Sequence, residues 1–211
     1  MKILDVMDLR LADIKTIRYS RFTDSRGYFA EHFRASDFRS HAQMDFMRGI
    51  EFLQCNESRS KPGTVRGLHF QWNPFMGKLV RTLQGRMIDM VLDIRKGSPT
   101  FGKIIGHDMP ASPNADFGEW IWVPPGFAHG NFYTEESHIE YFCSGEYNPE
   151  CEASISPLAE DIDWSLFDSE LKQEFDAIVS SKPLMSEKDW KGHSLSSWAE
   201  NPDARRFLWN S

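Results

Sequence analysis

Residues 86–94 read RMIDMVLDI, which puts Ile88, Met90, Leu92 and Ile94 on one side of an extended segment and Asp89 and Asp93 on the other. Side chains of a strand alternate between faces, so this period of two predicts a strand with one buried face. Turn signals at residues 24–27, 61–63, 96–99, 113–114 and 147–149 cut the chain into further short segments. Short strands between Gly/Pro turns predict an all-β jelly roll instead of alternating βα units. The pattern changes after Trp164, where Phe167, Leu171, Phe175 and Ile178 recur at three- and four-residue intervals. That spacing predicts one amphipathic helix over about residues 166–179, packed on the β structure. The tail, residues 194–211, is polar apart from Trp198, Phe207, Leu208 and Trp209, and its pattern leaves open whether it packs or extends. With 211 residues, 40% of them hydrophobic, the chain can bury one sizeable core, so a single domain over residues 1–211 is expected.

Two glycine-bounded segments carry the chemistry. The first runs from Gly63 through five residues to His69-x-Gln71, then by a longer gap to Lys78, and after six more residues to Gly85. The second is GEWIWVPPGFAH, ending at His129. Their spacing resembles the paired motifs of cupins, small jelly-roll barrels whose metal-binding members carry a second His and a Glu where this chain has Gln71 and Lys78. Transition metals need imidazole, carboxylate or thiolate donors, and an ammonium would add positive charge beside the cation. No metal is therefore expected. A base (His69) and a cation (Lys78) in one pocket suit proton abstraction next to a carbonyl, where the developing negative charge needs a partner. From spacing alone His69 could equally be a hydrogen-bonded core residue, and Lys78 a solvated strand lysine.

Further ordered segments, DSRGYFAEHF (24–33), FLQCNESRSKPGTVRGLHFQ (52–71), GKLVRTLQG (77–85), WVPPGFAHG (122–130), YNPECE (147–152) and LMSEKD (184–189), extend the pattern over residues 21–191. Together they resemble the dTDP-4-dehydrorhamnose 3,5-epimerases. The resemblance implies a cupin-like jelly-roll barrel with a few peripheral helices near the C-terminus, no cofactor, and a homodimer. It also implies roles: His69 as the base, oriented by Asp189; Lys78 against the enolate oxygen; and Tyr141 as the acid that returns a proton to the opposite face. Counting back from YNPECE reaches Tyr141, but the interval from His129 is one residue short of the family pattern, so Tyr133 and Tyr147 stay candidates. The alternation of residues 138–142 sends Tyr141 and Ile139 to one side of a strand, expected to be the interior. Arg26, Glu31, Gln54, Asn56, Arg66, Glu152 and Lys188 are implied as substrate-binding. His129 is either a pocket hydrogen-bond donor or a packed interior residue. Guanidinium groups suit a diphosphate through bidentate, charge-assisted hydrogen bonds. QCN (54–56) and HGN (129–131) depart from the family's usual QDN and HGF, which touches specificity more than fold.

Composition bounds the alternatives. The net charge of −7 without a Lys/Arg block argues against a nucleic-acid partner. Three cysteines, Cys55, Cys143 and Cys151, form neither an even framework nor a CxxC pair, which predicts a reducing cytoplasm. The first fifteen residues interrupt every apolar run with an acid, so neither a signal peptide nor a membrane span is expected. The expected partner is a nucleotide-diphosphate sugar, and the leading function is cofactor-independent epimerisation of a 4-keto-6-deoxy sugar. A single-position epimerase or keto-sugar isomerase on the same barrel, and a non-catalytic sugar-nucleotide-binding module, are the alternatives.

Overall fold

The computed structural model describes residues 1–209. Its strands are β1 (Ile3–Asp8), β2 (Lys15–Ser20), β3 (Phe22–Asp24), β4 (Gly27–Phe29), β5 (Gln54–Ser60), β6 (Val65–Gln71), β7 (Lys78–Gln84), β8 (Arg86–Asp93), β9 (Ile104–Pro110), β10 (Phe117–Val123), β11 (Phe127–Phe132), β12 (Ser137–Cys143) and β13 (Glu152–Ser154). The α-helices are α1 (Ala35–Ser40), α2 (Ser169–Ser180), α3 (Glu187–Trp190) and α4 (Leu195–Glu200). Six strands form one sheet in the order β1-β2-β10-β7-β12-β5, and five form another in the order β13-β6-β11-β8-β9. The fold is jelly-roll-like as expected, but the sheets face each other without closing into one continuous ladder.

Between the sheets, Val80, Ile121 and Ile139 meet Met87, Val91, Ile105 and Phe127. The outer face of the five-stranded sheet is covered as well, because Ile88, Met90 and Leu92 pack against Leu171, Phe175 and Ile178 of α2. Strand β8 is thus buried on both faces, whereas the sequence predicted one. Asp89 and Asp93, read as the wet face, are 0% exposed and lie toward the other sheet. Asp93 is held there by Arg95, Ser98 and Thr100. A buried carboxylate is tolerated only when it is paired and hydrogen-bonded in this way.

Helix α2 starts later than its apolar period suggested. Asp168 caps it by accepting from the Glu170 and Leu171 amides at 2.9 and 3.1 Å, and Trp164–Leu166 forms a separate 3-10 turn. Burying Leu171, Phe175 and Ile178 contributes about 1.5–3 kcal/mol each. The tail packs: α4 and the 3-10 turn Pro202–Arg206 set the Trp198 and Phe207 rings 4.7 and 5.6 Å from Phe70. Residues 210–211 of the tail lie outside the described residues. Helices were expected only near the C-terminus, yet α1 and a 3-10 segment, Ala42–Met47, lie between β4 and β5. Phe38, Met44 and Met47 there cover Leu79, Trp120 and Trp122 on the outer face of the six-stranded sheet. The β3–β4 hairpin stands clear of these layers, with Phe22 and Phe29 54% and 69% exposed.

Candidate active site

The site forms where β6 and β11 run unusually close. A Cβ on Gly67 would lie 2.6 Å from the Gly130 Cα, and one on Gly130 would lie 2.3 Å from the Arg66 carbonyl oxygen. Only glycine fits at that crossing, and it sets His69 directly opposite His129 in the β6–β11 register. Residues 184–189 are drawn to the same edge by the pairing of Leu184 with Thr64 and of the Val65 amide with the Leu184 carbonyl. Ser186 then caps α3 and carries Asp189 inward. His69 Nε2 lies 2.6 Å from Asp189 Oδ1. A carboxylate only accepts, so Nε2–H donates and Nδ1 is left as the basic atom. Burial works to raise the Asp189 pKa, but the His69 hydrogen bond and charge, with Ser186 and the Gly67 amide, hold the carboxyl below the usual carboxylate range.

Across the gap the six-stranded sheet supplies Lys78, at the start of β7, and Tyr141 on β12. No described residue forms an ion pair with Lys78, and burial lowers its pKa, against the opposing pull of Cys143, Glu152 and Asp89. Burial raises the pKa of Tyr141, which favours the protonated phenol. Tyr141 and Ile139 both face inward, as the alternation predicted. Tyr133 is fully buried among the inter-sheet apolar residues and borders neither part of the cavity. Tyr147 is at the mouth, half exposed, its hydroxyl donating to Glu152 at 3.0 Å.

The cavity has two lobes, of about 350 and 220 Å³, which share His69, Lys78 and Tyr141 as lining residues. Gln54, Asn56 and Glu152 border the larger lobe; Arg66, His129, Lys188 and Asp189 border the smaller. Glu152 accepts from Lys188 and from Tyr147, so one carboxylate ties the rim together. Gln54 donates to Asn56 at 3.0 Å and accepts from the Tyr147 amide. Gln71, which stands where metal-binding cupins have a histidine, instead clamps a loop by bonding the Pro74 and Glu146 carbonyls and the Asn148 amide. Among the described residues no group of three or more His, Cys, Asp or Glu side chains is placed to hold a metal ion.

Two expected binding residues lie elsewhere. Arg26 is at the hairpin tip, paired with Asp24 at 2.6 Å and 88% exposed, and Glu31 bonds Arg34 and the N-terminal amine. Residues without an expected role also stand beside these groups. Asp89, 0% exposed, holds His129 Nε2 at 2.8 Å, and Cys143 borders Lys78 in the β12–β7 register. An acid on the same strand face as Val91 was the signal for Asp89. A third cleft, about 430 Å³, lies beside α2, but its Arg86 is already engaged by Asp108 and Glu174, and none of the groups above borders it.

A family model described as dTDP-4-dehydrorhamnose 3,5-epimerase matches residues 8–197. A dTDP-4-dehydrorhamnose 3,5-epimerase of Neisseria gonorrhoeae is 35% identical over 97% of this chain, which spans 56% of that relative's length. Among solved structures, a dTDP-6-deoxy-D-glucose-3,5-epimerase from Legionella pneumophila, in complex with dTDP-4-keto-L-rhamnose, superposes with a TM-score of 0.78 at 30% identity, covering 98% of each chain. A 3'-monoepimerase from Streptomyces bikiniensis, in complex with dTDP-quinovose, gives 0.74 at 28% identity, covering 92% of this chain and 88% of its own.

Proposed function

Because the chain belongs to the dTDP-4-dehydrorhamnose 3,5-epimerase family, we propose that it epimerises a dTDP-linked 4-keto-6-deoxy sugar by removing and returning protons beside the ketone. One observation carries the reading: the His69–Asp189 pair on one side of the cavity faces Lys78 and Tyr141 on the other sheet. His69 Nδ1 takes the proton from the carbon next to the carbonyl, and the C–H electron pair moves into the carbonyl as an enolate. Asp189 supports the imidazolium that forms. The Lys78 ammonium holds the enolate oxygen, a fixed charge in a water-poor site and therefore strong. Tyr141 donates its phenolic proton to the opposite face, and solvent restores both groups. The hydroxyl, amide, imidazole and carboxylate groups here suit a sugar and its ketone, and an ammonium among them does not suit a transition metal.

Arg66 and Lys188 are the cations for the diphosphate. Arg26 borders neither lobe of its own chain's cavity and pairs with Asp24 instead. Its exposed apolar hairpin supports a homodimer in which Arg26 and Glu31 serve the second copy's cavity, in a single-domain cytoplasmic enzyme. A half-buried partner edge is a common use for such an apolar protrusion. No described helix is long and apolar enough to cross a membrane.

The test is incubation with dTDP-4-keto-6-deoxyglucose in deuterium oxide, followed by proton NMR. Wash-in at C3 and C5 with inverted product supports the reading. Wash-in at C3 alone selects the second reading, a single-position epimerase, which the likeness to the 3'-monoepimerase favours. Binding without any exchange would leave a sugar-nucleotide-binding module.

A further inference from the structure

Asn131 lines the smaller lobe of the cavity and is 5% exposed, yet its side-chain amide makes no hydrogen bond with any described residue. Its Oδ1 is sealed and unpartnered. So is Oδ1 of Asp89, the residue directly opposite Asn131 across the β8–β11 pair. Both side chains share the face that carries His129, because Asn131 is two residues along the same strand and Asp89 Oδ2 bonds the His129 ring. Opposed residues of an antiparallel pair have Cβ atoms about 4.5–5.5 Å apart, within reach of an amide and a carboxylate.

Two sealed acceptors on opposed residues lack a donor, and a buried polar group left without a partner is costly. A half-turn of the amide about χ2 exchanges its two ends without changing its shape. It gives Asp89 an N–H donor and turns the Asn131 carbonyl toward the cavity, where a ligand can reach it. A carbonyl oxygen only accepts, so its ligand must be a donor. Phosphate and ketone oxygens are acceptors, so on the sugar itself the donor is a hydroxyl. Asn131 also opposes Arg66 on its other flank, and so stands between the diphosphate cation and the His69–His129 pair. On a hexose held by both ends, the hydroxyl between the anomeric phosphate and the reacting C3 is that on C2.

Resting on the functional reading above, we infer that Asn131 is a positioning and specificity residue, whose N–H fixes the Asp89–His129 pair while its carbonyl accepts the C2 hydroxyl of the bound sugar. A site built to bond a hydroxyl rejects the analogue lacking it, because its own polar group is left unpaired.

The experiment compares dissociation constants, by calorimetry, of a dTDP-6-deoxyhexose and its 2-deoxy counterpart on wild type, Asn131→Leu and Asn131→Ser. Wild type should prefer the hydroxylated ligand by about 10-fold or more. Asn131→Leu, which keeps the branched four-atom skeleton, should reduce the ratio to near one, and Asn131→Ser, which keeps a small donor and acceptor, should retain part of it. The ¹⁵N signals of the His129 ring should move in Asn131→Leu and not in Asn131→Ser. A residue that merely packs would change affinity for both ligands alike, so an unchanged ratio in Asn131→Leu, or a wild-type ratio near one, overturns the inference. If Asn131→Leu fails to fold, a wild-type ratio kept in full by Asn131→Ala overturns it instead. Failure of the functional reading looks different: wild type then shows no deuterium exchange, whatever the binding ratio.

Discussion

Replacing Asp189 by asparagine removes one charge while keeping the shape of the side chain, and the structure sets the size of the effect. The carboxylate lies 2.6 Å from the His69 ring and is almost fully buried, whereas the imidazole is 26% exposed. Two unit charges about 4 Å apart attract by about 4 kcal/mol at an effective dielectric near 20. Solvent at the exposed edge of the ring screens part of this, leaving roughly 2–3 kcal/mol that acts only once the imidazolium forms. At about 1.4 kcal/mol per decade, proton removal should slow roughly 30- to 150-fold. An amide NH₂ turned toward Nε2 would also fix the wrong tautomer and lower the rate further. The assay is deuterium wash-in under single-turnover conditions, with circular dichroism to confirm the fold. Exchange at the wild-type rate by folded Asp189→Asn would refute the assignment of Asp189 as the partner of the base. The same substitution has a pH signature. Because the folded-state pKa of Asp189 is lowered, its contribution to stability is present above the unfolded value, near 4, and is lost as pH falls through the lower folded value. The stability gap between wild type and Asp189→Asn should therefore close on acidification.

Lys78→Met should slow exchange at both C3 and C5, by about 10²–10³-fold, the range for losing one oxyanion partner; selective loss at one carbon in the NMR spectrum would contradict its placement at the shared ketone. Tyr141→Phe should retain deuterium exchange, since solvent can return a proton to the original face, but yield little inverted product by NMR. Should Tyr133→Phe lose inversion while Tyr141→Phe keeps it, the acid must be reassigned, against the burial of Tyr133. Gly130→Ala brings a methyl to 2.3 Å from the Arg66 carbonyl; it should lower the melting temperature and cost about 1–3 kcal/mol in denaturant unfolding, and a neutral result would show that β6 and β11 are free to part.

What was legible in the sequence followed from local pattern. The inward turn of Tyr141 and Ile139 came from alternation within five residues, and the apolar stripe of α2 came from Leu171, Phe175 and Ile178. What failed depended on neighbours that no local pattern reports. Asp89 and Asp93 look solvated on period alone, and are buried because a second sheet faces β8 while α2 covers its back. The 35–47 region was missed because helical pieces of six residues are too short for a 3.6-residue period to show. Phe167 fits the stripe but precedes the Asp168 cap, so the periodic pattern ran one turn past the helix start. Of the residues implied by resemblance, ten border one cavity, and Arg26 and Glu31 do not, since their segment leaves the sandwich with the hairpin.

His69, the proposed base, belongs to one sheet and Tyr141, the proposed acid, to the other, so on that reading the width of the sandwich fixes the distance across the sugar ring. Facing sheets sit about 10 Å apart, a spacing set by the side chains wedged between them. Val80, Val91 and Ile139, remote from any substrate atom, are in that sense shims. On the proposed reading, drift at the rim, where Glu152, Tyr147 and Lys188 meet, should retune which sugar is admitted, while a single methylene gained or lost among the shims should alter the chemistry itself. Divergence of such an enzyme toward new sugars should therefore run along its edges and leave its filling alone.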